Sequence, residues 1–334
     1  MLPIFKSRED KLNEYLKSEL KDFMFTEVSE EFLNAADLSF MKDIPIPIKA
    51  EDLKSFMDKG LSTTQIADNI SVVIGSDTHF KYVDSYLQYL HKLFDDKLVL
   101  VFAGKGEEAL KIGNYRRGLA YLRAAMMFKD DALESMFCYA NGCRFWYLSM
   151  EGEDGCDELI LLLKNESREY FEHCTSAYPQ FPQAWYYLGY AYLNMGQYQR
   201  TQIAWKHYMT CCGEDDPENI KEIEGRLVEL EDPVKIEKGV NLLAGGRLEE
   251  GLRILEPYVD TEYGKWWPLH FNLACAYREM DHPEEAIEGF LKVLELNPSH
   301  YDSMIALYEL YAEAGDSEKA EKYLNKSKLV SENA

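Results

Sequence analysis

Apolar positions along this chain recur at helical spacing, and glycines and prolines cut them into short segments. Leu12, Tyr15, Leu16 and Leu20 form one stripe, and Ser7 with Asp10 three residues on marks a helix start. A second helix is predicted over 28–41. Ile44-Pro45-Ile46-Pro47-Ile48 follows, where alternating prolines exclude a helix interior and predict an extended connector packed on the chain's own surface. Three more helices are predicted: 50–59, ending at Gly60; 62–74, with Ser62 as N-cap and Gly75 at its end; and a third from Ser76 or Asp77 through Tyr82, Tyr86, Tyr89 and Leu90 to Phe94. Much later, Asp216-Pro217 opens a helix whose stripe is Ile220, Ile223, Leu227 and Leu230.

The middle and the C-terminal third carry a longer period. Trp185, Leu188, Gly189 and Tyr192 set a skeleton that Leu273, Ala274 and Tyr277 repeat. Ala286, Phe290 and Pro298 complete the second copy, and Leu307, Tyr308, Tyr311, Gly315, Ala320 and Leu324 give another, 34 residues on. Two worn copies match each other: Gly106, Gly113, Tyr115, Gly118-Leu119 and Leu122 against Gly239, Gly246, Leu248, Gly251-Leu252 and Leu255. An irregular unit runs from Ser135 to Pro179, with Gly142 in the small slot, Phe171 in the aromatic slot and a swollen turn at 151–155. Small residues at these slots let two helices approach closely, and the aromatic rings fill the remaining space.

These residues resemble the tetratricopeptide repeat, a 34-residue helix-turn-helix unit with the pattern W-x2-L-G-x2-Y, A-x3-F and P. The resemblance covers about residues 99–330 and is strongest at 182–212 and 267–326. It implies an all-α fold, a right-handed solenoid of helical hairpins, here with an N-terminal helical extension. The expected organisation is an extension at 1–98, repeats with the irregular unit at 99–215, an extra capping or hinge helix at 216–231 and C-terminal repeats at 232–334. Stacked repeats of this kind present a binding surface rather than a reaction centre. The resemblance therefore implies a non-enzymatic scaffold or adaptor that binds a protein or peptide. The alternative is a regulatory sensor: the groove binds a short signalling peptide and residues 1–98 carry the output.

Charge narrows the partner. The chain has 36 Lys and Arg against 59 Asp and Glu, a formal net charge of −23. Residues 210–334 hold 28 acidic and 13 basic side chains. Phosphate backbones need a basic face, so nucleic acid is not expected, and a basic peptide or protein is favoured. Gly60-Leu61-Ser62-Thr63-Thr64-Gln65-Ile66-Ala67 resembles the start of a helix-turn-helix DNA reader, but the apolar run continues through Val72-Val73-Ile74 and residues 40–100 hold 7 Lys against 9 acidic residues. No apolar run is long enough for a membrane span, and Met1–Phe5 is too short for a signal-peptide core, so a cytoplasmic location without membrane contact is expected.

Catalytic chemistry finds no foothold. The seven histidines make no metal-binding spacing, the seven cysteines lack C-x2-C pairs, and no phosphate loop, nucleophile elbow or dinucleotide fingerprint occurs. No catalytic residue, metal or cofactor is expected. Cys138, Cys143, Cys174 and Cys275 fall on apolar helix patterns and read as buried thiols.

The candidate binding surface follows from helix geometry. Residues at i, i+4 and i+7 or i+8 share one face of each repeat's first helix. Those stripes are Tyr139, Cys143, Trp146 and Tyr147; Tyr186, Tyr190, Leu193 and Asn194; and Phe271, Cys275, Arg278 and Glu279. The expected protein- or peptide-binding set is Tyr139, Trp146, Tyr147, Tyr186, Tyr190, Asn194, Phe271 and Arg278, because polar-tipped rings give large contact area at small entropy cost. The competing reading of each ring is core packing against the preceding repeat. Ile44, Ile46 and Ile48 are the nearest built-in segment to occupy such a groove. Some tetratricopeptide domains clamp the C-terminal carboxylate of heat-shock chaperones with Lys, Asn and Arg. Asn272 matches one Asn slot, but the basic slots carry Ile236, Asp302 and Ala306, so that clamp is not expected.

Overall fold

A computed structural model of the protein describes residues 10–54, 60–213 and 215–332. The expected helix start at Ser7 and the second half of the helix expected over 50–59 lie outside the described residues. The chain forms two compact units, one of residues 1–195 and 204–213, the other of residues 196–203 and 214–334.

Among the described residues, the first unit begins with a short helix α1 (Leu12–Leu16) that tightens into a 3-10 stretch at Lys17–Asp22. Strand β1 (Phe23–Thr26) then pairs antiparallel with β2 (Ile46–Lys49), Phe23 opposite Lys49 and Thr26 opposite Ile46. The isoleucine-proline connector is thus a strand. A two-stranded ribbon has only edges, so the missing N–H groups of Pro45 and Pro47 cost little there. Between the strands, the helix expected over 28–41 shortens to α2 (Glu30–Ala35), capped by Ser29, and a 3-10 turn at Ser39–Met41. Asp37 takes a positive φ of 53° at the break.

Helix α3 (Thr63–Ser76) begins where its capping box predicts, with Ser62 and Gln65 satisfying each other's backbone N–H groups. Helix α4 (Val83–Leu93) starts later than the sequence suggested, because Asp77–Tyr82 is spent in turns, with Asp77 and Thr78 buried. Three helix pairs follow: α5 (Leu98–Lys111) with α6 (Tyr115–Phe128), α7 (Leu133–Ser149) with α8 (Asp157–Ala177), and α9 (Pro182–Leu193) with the part of α10 (Tyr198–Cys212) from Ala204 onward, whose Trp205 meets α9. One continuous apolar core runs from Leu12 and Ile46 through these pairs to Ala204. Ile46 and Ile48 are fully buried in β2, which packs on α3. They do not lie free to enter a groove.

The second unit holds α11 (Pro217–Glu229), capped by Asp216, and three further pairs. These are α12 (Glu231–Ala244) with α13 (Leu248–Leu255), α14 (Trp267–Glu279) with α15 (Pro283–Leu296), and α16 (Tyr301–Glu313) with α17 (Ser317–Glu332). Ile236, Leu252, Leu255, Leu269 and Leu273 form one core patch; Ala274, Ala286, Phe290, Leu307 and Tyr311 form another. Each unit is all-α and built of stacked helical repeats, with the small ribbon of the first as the one departure among the described residues.

The crossings explain the repeat pattern. A Cβ on Gly189 would lie 2.1 Å from Trp205 Nε1, so the small slot of α9 receives the indole of α10. The worn pairs share a closer device. A Cβ on Gly118 would sit 3.0 Å from the Gly106 carbonyl oxygen, and one on Gly251 would sit 3.0 Å from that of Gly239. Both repeats therefore cross glycine to glycine, which is why they resemble each other more than the family pattern. Gly75 is tighter still, its Cβ position falling 1.8 Å from the carbonyl oxygen of Ala120 in α6.

These contacts predict opposite outcomes for neighbouring glycines. Gly106→Ala should destabilise by about 1–3 kcal/mol through overpacking against Leu122. Gly104, two residues away with open space around it, should gain about 0.5–1 kcal/mol on substitution by alanine through helix propensity. Urea melts of both variants check the register; equal shifts would refute it. A second expectation concerns acid. Asp68 accepts hydrogen bonds from Lys105 and from Tyr121 (2.9 Å) and bridges Lys49 at 3.4 Å. Burial works against its charge, but Lys105 and these other partners hold its carboxyl below the usual range. A depressed carboxylate adds stability above its unfolded pKa and loses it as pH falls through its folded one. The stability gap between the native chain and Asp68→Asn should therefore close on acidification, as thermal melts across pH would show.

Candidate peptide-binding cleft

In the second unit, helical spacing gathers one stripe into an open cleft of about 450 Å³. Helix α14 contributes Phe271, Cys275, Arg278 and Glu279; α16 contributes Asp302 and Ala306; Phe290 of α15 lies beneath. The floor is apolar and ordered. Phe271 meets Phe290 edge to face at 5.9 Å between centroids and His300 at 4.8 Å, while Trp267 covers His300 at 4.4 Å. Burial pushes the His300 ring's pKa down, which favours its neutral form. Burial, with Glu279 adding to it, pushes the Cys275 thiol up, so the thiol stays protonated and acts as a small apolar surface.

The rim is acidic. Arg278 donates to Glu309 at 2.8 Å, and Glu279 and Asp302 stand beside it. The one Asn that matches a carboxylate-clamp slot is committed elsewhere: Asn272 Nδ2 donates to the Pro268 carbonyl at 2.8 Å. Ile236 is buried, and Asp302 and Ala306 line the cleft. A terminal carboxylate would find acid groups where a clamp needs bases.

Of the eight residues expected from sequence, Phe271 and Arg278 fall in this cleft. The other six belong to the first unit. Tyr139, Trp146 and Tyr147 are 1%, 4% and 2% exposed, so they are core and not a binding face. Each is held by its neighbours. Tyr139 donates to Glu166 at 3.2 Å and meets Tyr170 at 4.5 Å; Trp146 stacks on Tyr115 with Arg116 over its ring; the Tyr147 hydroxyl accepts from Asn194 at 3.3 Å. The long α8, following the swollen turn at 151–155, covers Tyr139 on the α7 face that the stripe assigned to the groove, and α6 covers Trp146. Tyr186 and Tyr190 are half-buried. They meet each other edge to face at 5.1 Å, and Trp205 and Tyr208 hold them from α10. Asn194 is exposed.

Sequence reading missed two things. Trp205 occupies the aromatic slot of the 182 repeat and is fully buried, sixteen residues after Gly189, as Phe290 follows Ala274. The second is a buried polar knot. Arg123, with a side chain 0% exposed, donates to Asp10, to Asn13 at 2.8 Å and to Thr78. Its partners lie 45 to 113 residues from Arg123, so no local spacing could announce it. Among the described residues, no group of His, Cys, Asp and Glu is placed to hold a metal ion, and no helix is long and apolar enough to cross a membrane.

The tetratricopeptide repeat family matches twice, over residues 170–203 and over residues 267–300. No curated protein matches in sequence. Among solved structures, MamA from Desulfovibrio magneticus RS-1 (residues 41 to the end) is similar at 18% identity, covering 58% of this chain and 96% of that one with a TM-score of 0.34. The P58(IPK) TPR domain is similar at 13% identity, covering 79% of this chain and 68% of that one with a TM-score of 0.43. Both are too distant for anything of their function to be transferred. The second match spans α14 and α15, which supply most of the cleft, and the same pairing recurs on either side of it; the chain carries tetratricopeptide repeats.

Proposed function

We propose that the protein is a scaffold whose second unit binds a peptide segment carrying basic and apolar side chains, with Phe271, Phe290 and Ala306 as floor and Glu279 and Asp302 as rim. The observation that carries this reading is the conjunction of an aromatic floor and an acidic rim in one open cleft. Its volume suits a few side chains of an extended or helical segment. Rings supply the area, and carboxylates select lysine or arginine over acid. A repeat protein of this family is a platform for protein interaction. The aromatic stripe of the first unit plays a supporting part: it stacks helices.

A fluorescein-labelled peptide alternating Lys and Leu, compared with one alternating Ser and Leu, tests the reading by anisotropy. The basic peptide should bind more tightly, and Glu279→Lys with Asp302→Lys should weaken it at least about tenfold. Phe271→Ala should weaken both peptides. Equal binding by native chain and charge-reversed variant would refute the assignment. In contrast, Tyr186→Ala with Tyr190→Ala should lower the melting temperature by several degrees and leave peptide affinity nearly unchanged, since those rings pack against Trp205 and Tyr208.

A further inference from the structure

The repeat formed by α12 and α13 carries a smaller notch, of about 250 Å³, with the opposite electrostatic character. Lys238 and Leu242 come from α12, Arg247 from the turn, and Glu250, Arg253 and Ile254 from α13. Three cations therefore surround one carboxylate above a half-buried apolar floor of Leu242 and Ile254. This lies in the most acidic part of the chain, where residues 210–334 hold 28 acidic and 13 basic side chains.

The notch is built by the backbone. Gly246 turns the chain at a φ of +75°, and the Arg247 N–H donates to the Leu242 carbonyl at 2.9 Å, fixing the arginine at the junction. Arg247 then forks onto Glu250, its Nε at 2.8 Å from Oε1. Lys238 and Arg253 are different. Among the described residues, neither stands within ion-pair distance of a carboxylate, although Glu249 lies one turn before Arg253. On α12, the positions one turn either side of Lys238 are Val234 and Leu242, which offer it no charge. Two uncompensated cations thus flank an apolar floor in a surface that otherwise repels anions.

We propose that this notch is a second binding site, selective for a partner segment that presents carboxylates beside an apolar side chain. Lys238 and Arg253 would take the carboxylates, Arg247 could exchange Glu250 for the partner's acid, and Leu242 and Ile254 would seat the apolar group. A small inorganic anion would leave that floor unused. A nucleic acid needs a longer basic track than three cations amid acid. Two sites of opposite charge on adjacent repeats let one scaffold sort partner segments by sign, which neither site could do alone.

The test uses the full chain and a fluorescein-labelled peptide alternating Glu and Leu, with anisotropy as readout. The peptide should bind, and its affinity should fall as salt rises from about 50 to about 300 mM. Lys238→Glu with Arg253→Glu should weaken it at least about tenfold, as two lost charge-assisted contacts imply. The same double variant should keep its binding of the Lys-Leu peptide, and Glu279→Lys with Asp302→Lys should keep Glu-Leu binding, so the two sites fail separately. Both positions are exposed, so an unchanged melt is expected and shows that the variant is folded. Absence of Glu-Leu binding by the native chain would overturn the proposal, as would equal binding by the double variant. Inorganic phosphate competing as well as the peptide would mean that the floor plays no part, and would also overturn it. Sedimentation supplies one more outcome: if the double variant changes the association state of the chain, the notch serves a second copy instead of an acidic partner.

Discussion

Four of the described helix pairs bring one helix close to its partner at a residue with little or no side chain. A single helical hairpin of this length cannot bury both its faces, so stability comes from stacking hairpins, and stacking needs close crossings. Gly189 admits the Trp205 indole, Ala274 lies against Gly289, and Gly106 and Gly239 meet Gly118 and Gly251 almost backbone to backbone. Each crossing fixes the rotation of its helices about their axes. That rotation decides which side chains enter the core and which stand on the exposed face. The cleft at Phe271 exists because Ala274 is turned inward; three residues earlier on the same helix, the ring points along the other edge of the stripe.

The same constraint explains why aromatic stripes with the same spacing have different fates. In the second unit, α14 and α16 are regular, short and joined through α15, and the stripe of α14 stays partly open. In the first unit, α8 extends over 21 residues after the swollen turn and lies along α7. Its Glu166 and Tyr170 close over Tyr139, whose hydroxyl is held well above its ordinary pKa, first by burial and then by Glu166. A position on a helix face says which way a side chain points. Whether that direction is solvent depends on the length of the next helix, which the repeat pattern does not encode.

That difference measures how much was legible in the sequence. Helix pairing, the small slots and the cap at Ser62 could be read directly, because each rests on interactions within about forty residues. The cleft stripe of α14 was legible for the same reason, and Phe271 and Arg278 lie on it. The ribbon of β1 and β2 was not. Pro45 and Pro47 correctly excluded a helix, but the pairing partner at Phe23–Thr26 lies beyond any local pattern and sits in a segment whose apolar spacing also suits a helix end. Arg123 was invisible for a stronger reason. On α6 it reads as an ordinary charged position, and only the fold brings Asp10, Asn13 and Thr78 to it.

Charge placement shows the same division between local and distant causes. The net charge of −23 lies mostly in residues 210–334. The structure distributes it unevenly: Lys105 and Lys49 are consumed by Asp68, Arg117 by Glu19 and Asp22, and Arg123 by the buried knot. Those cations fasten the N-terminal segment and α3 to the first repeat, and they do so in partly or fully buried settings where a lost partner is costly. The uncompensated cations at Lys238 and Arg253 contribute nothing of that kind. Surface charges held out of ion pairs add little to stability, so their arrangement around Leu242 and Ile254 is free to serve recognition. The acidic rim at Glu279 and Asp302 is free in the same sense. Stability in this protein rests on small residues and buried contacts, which leaves the exposed charges of the second unit available to choose partners.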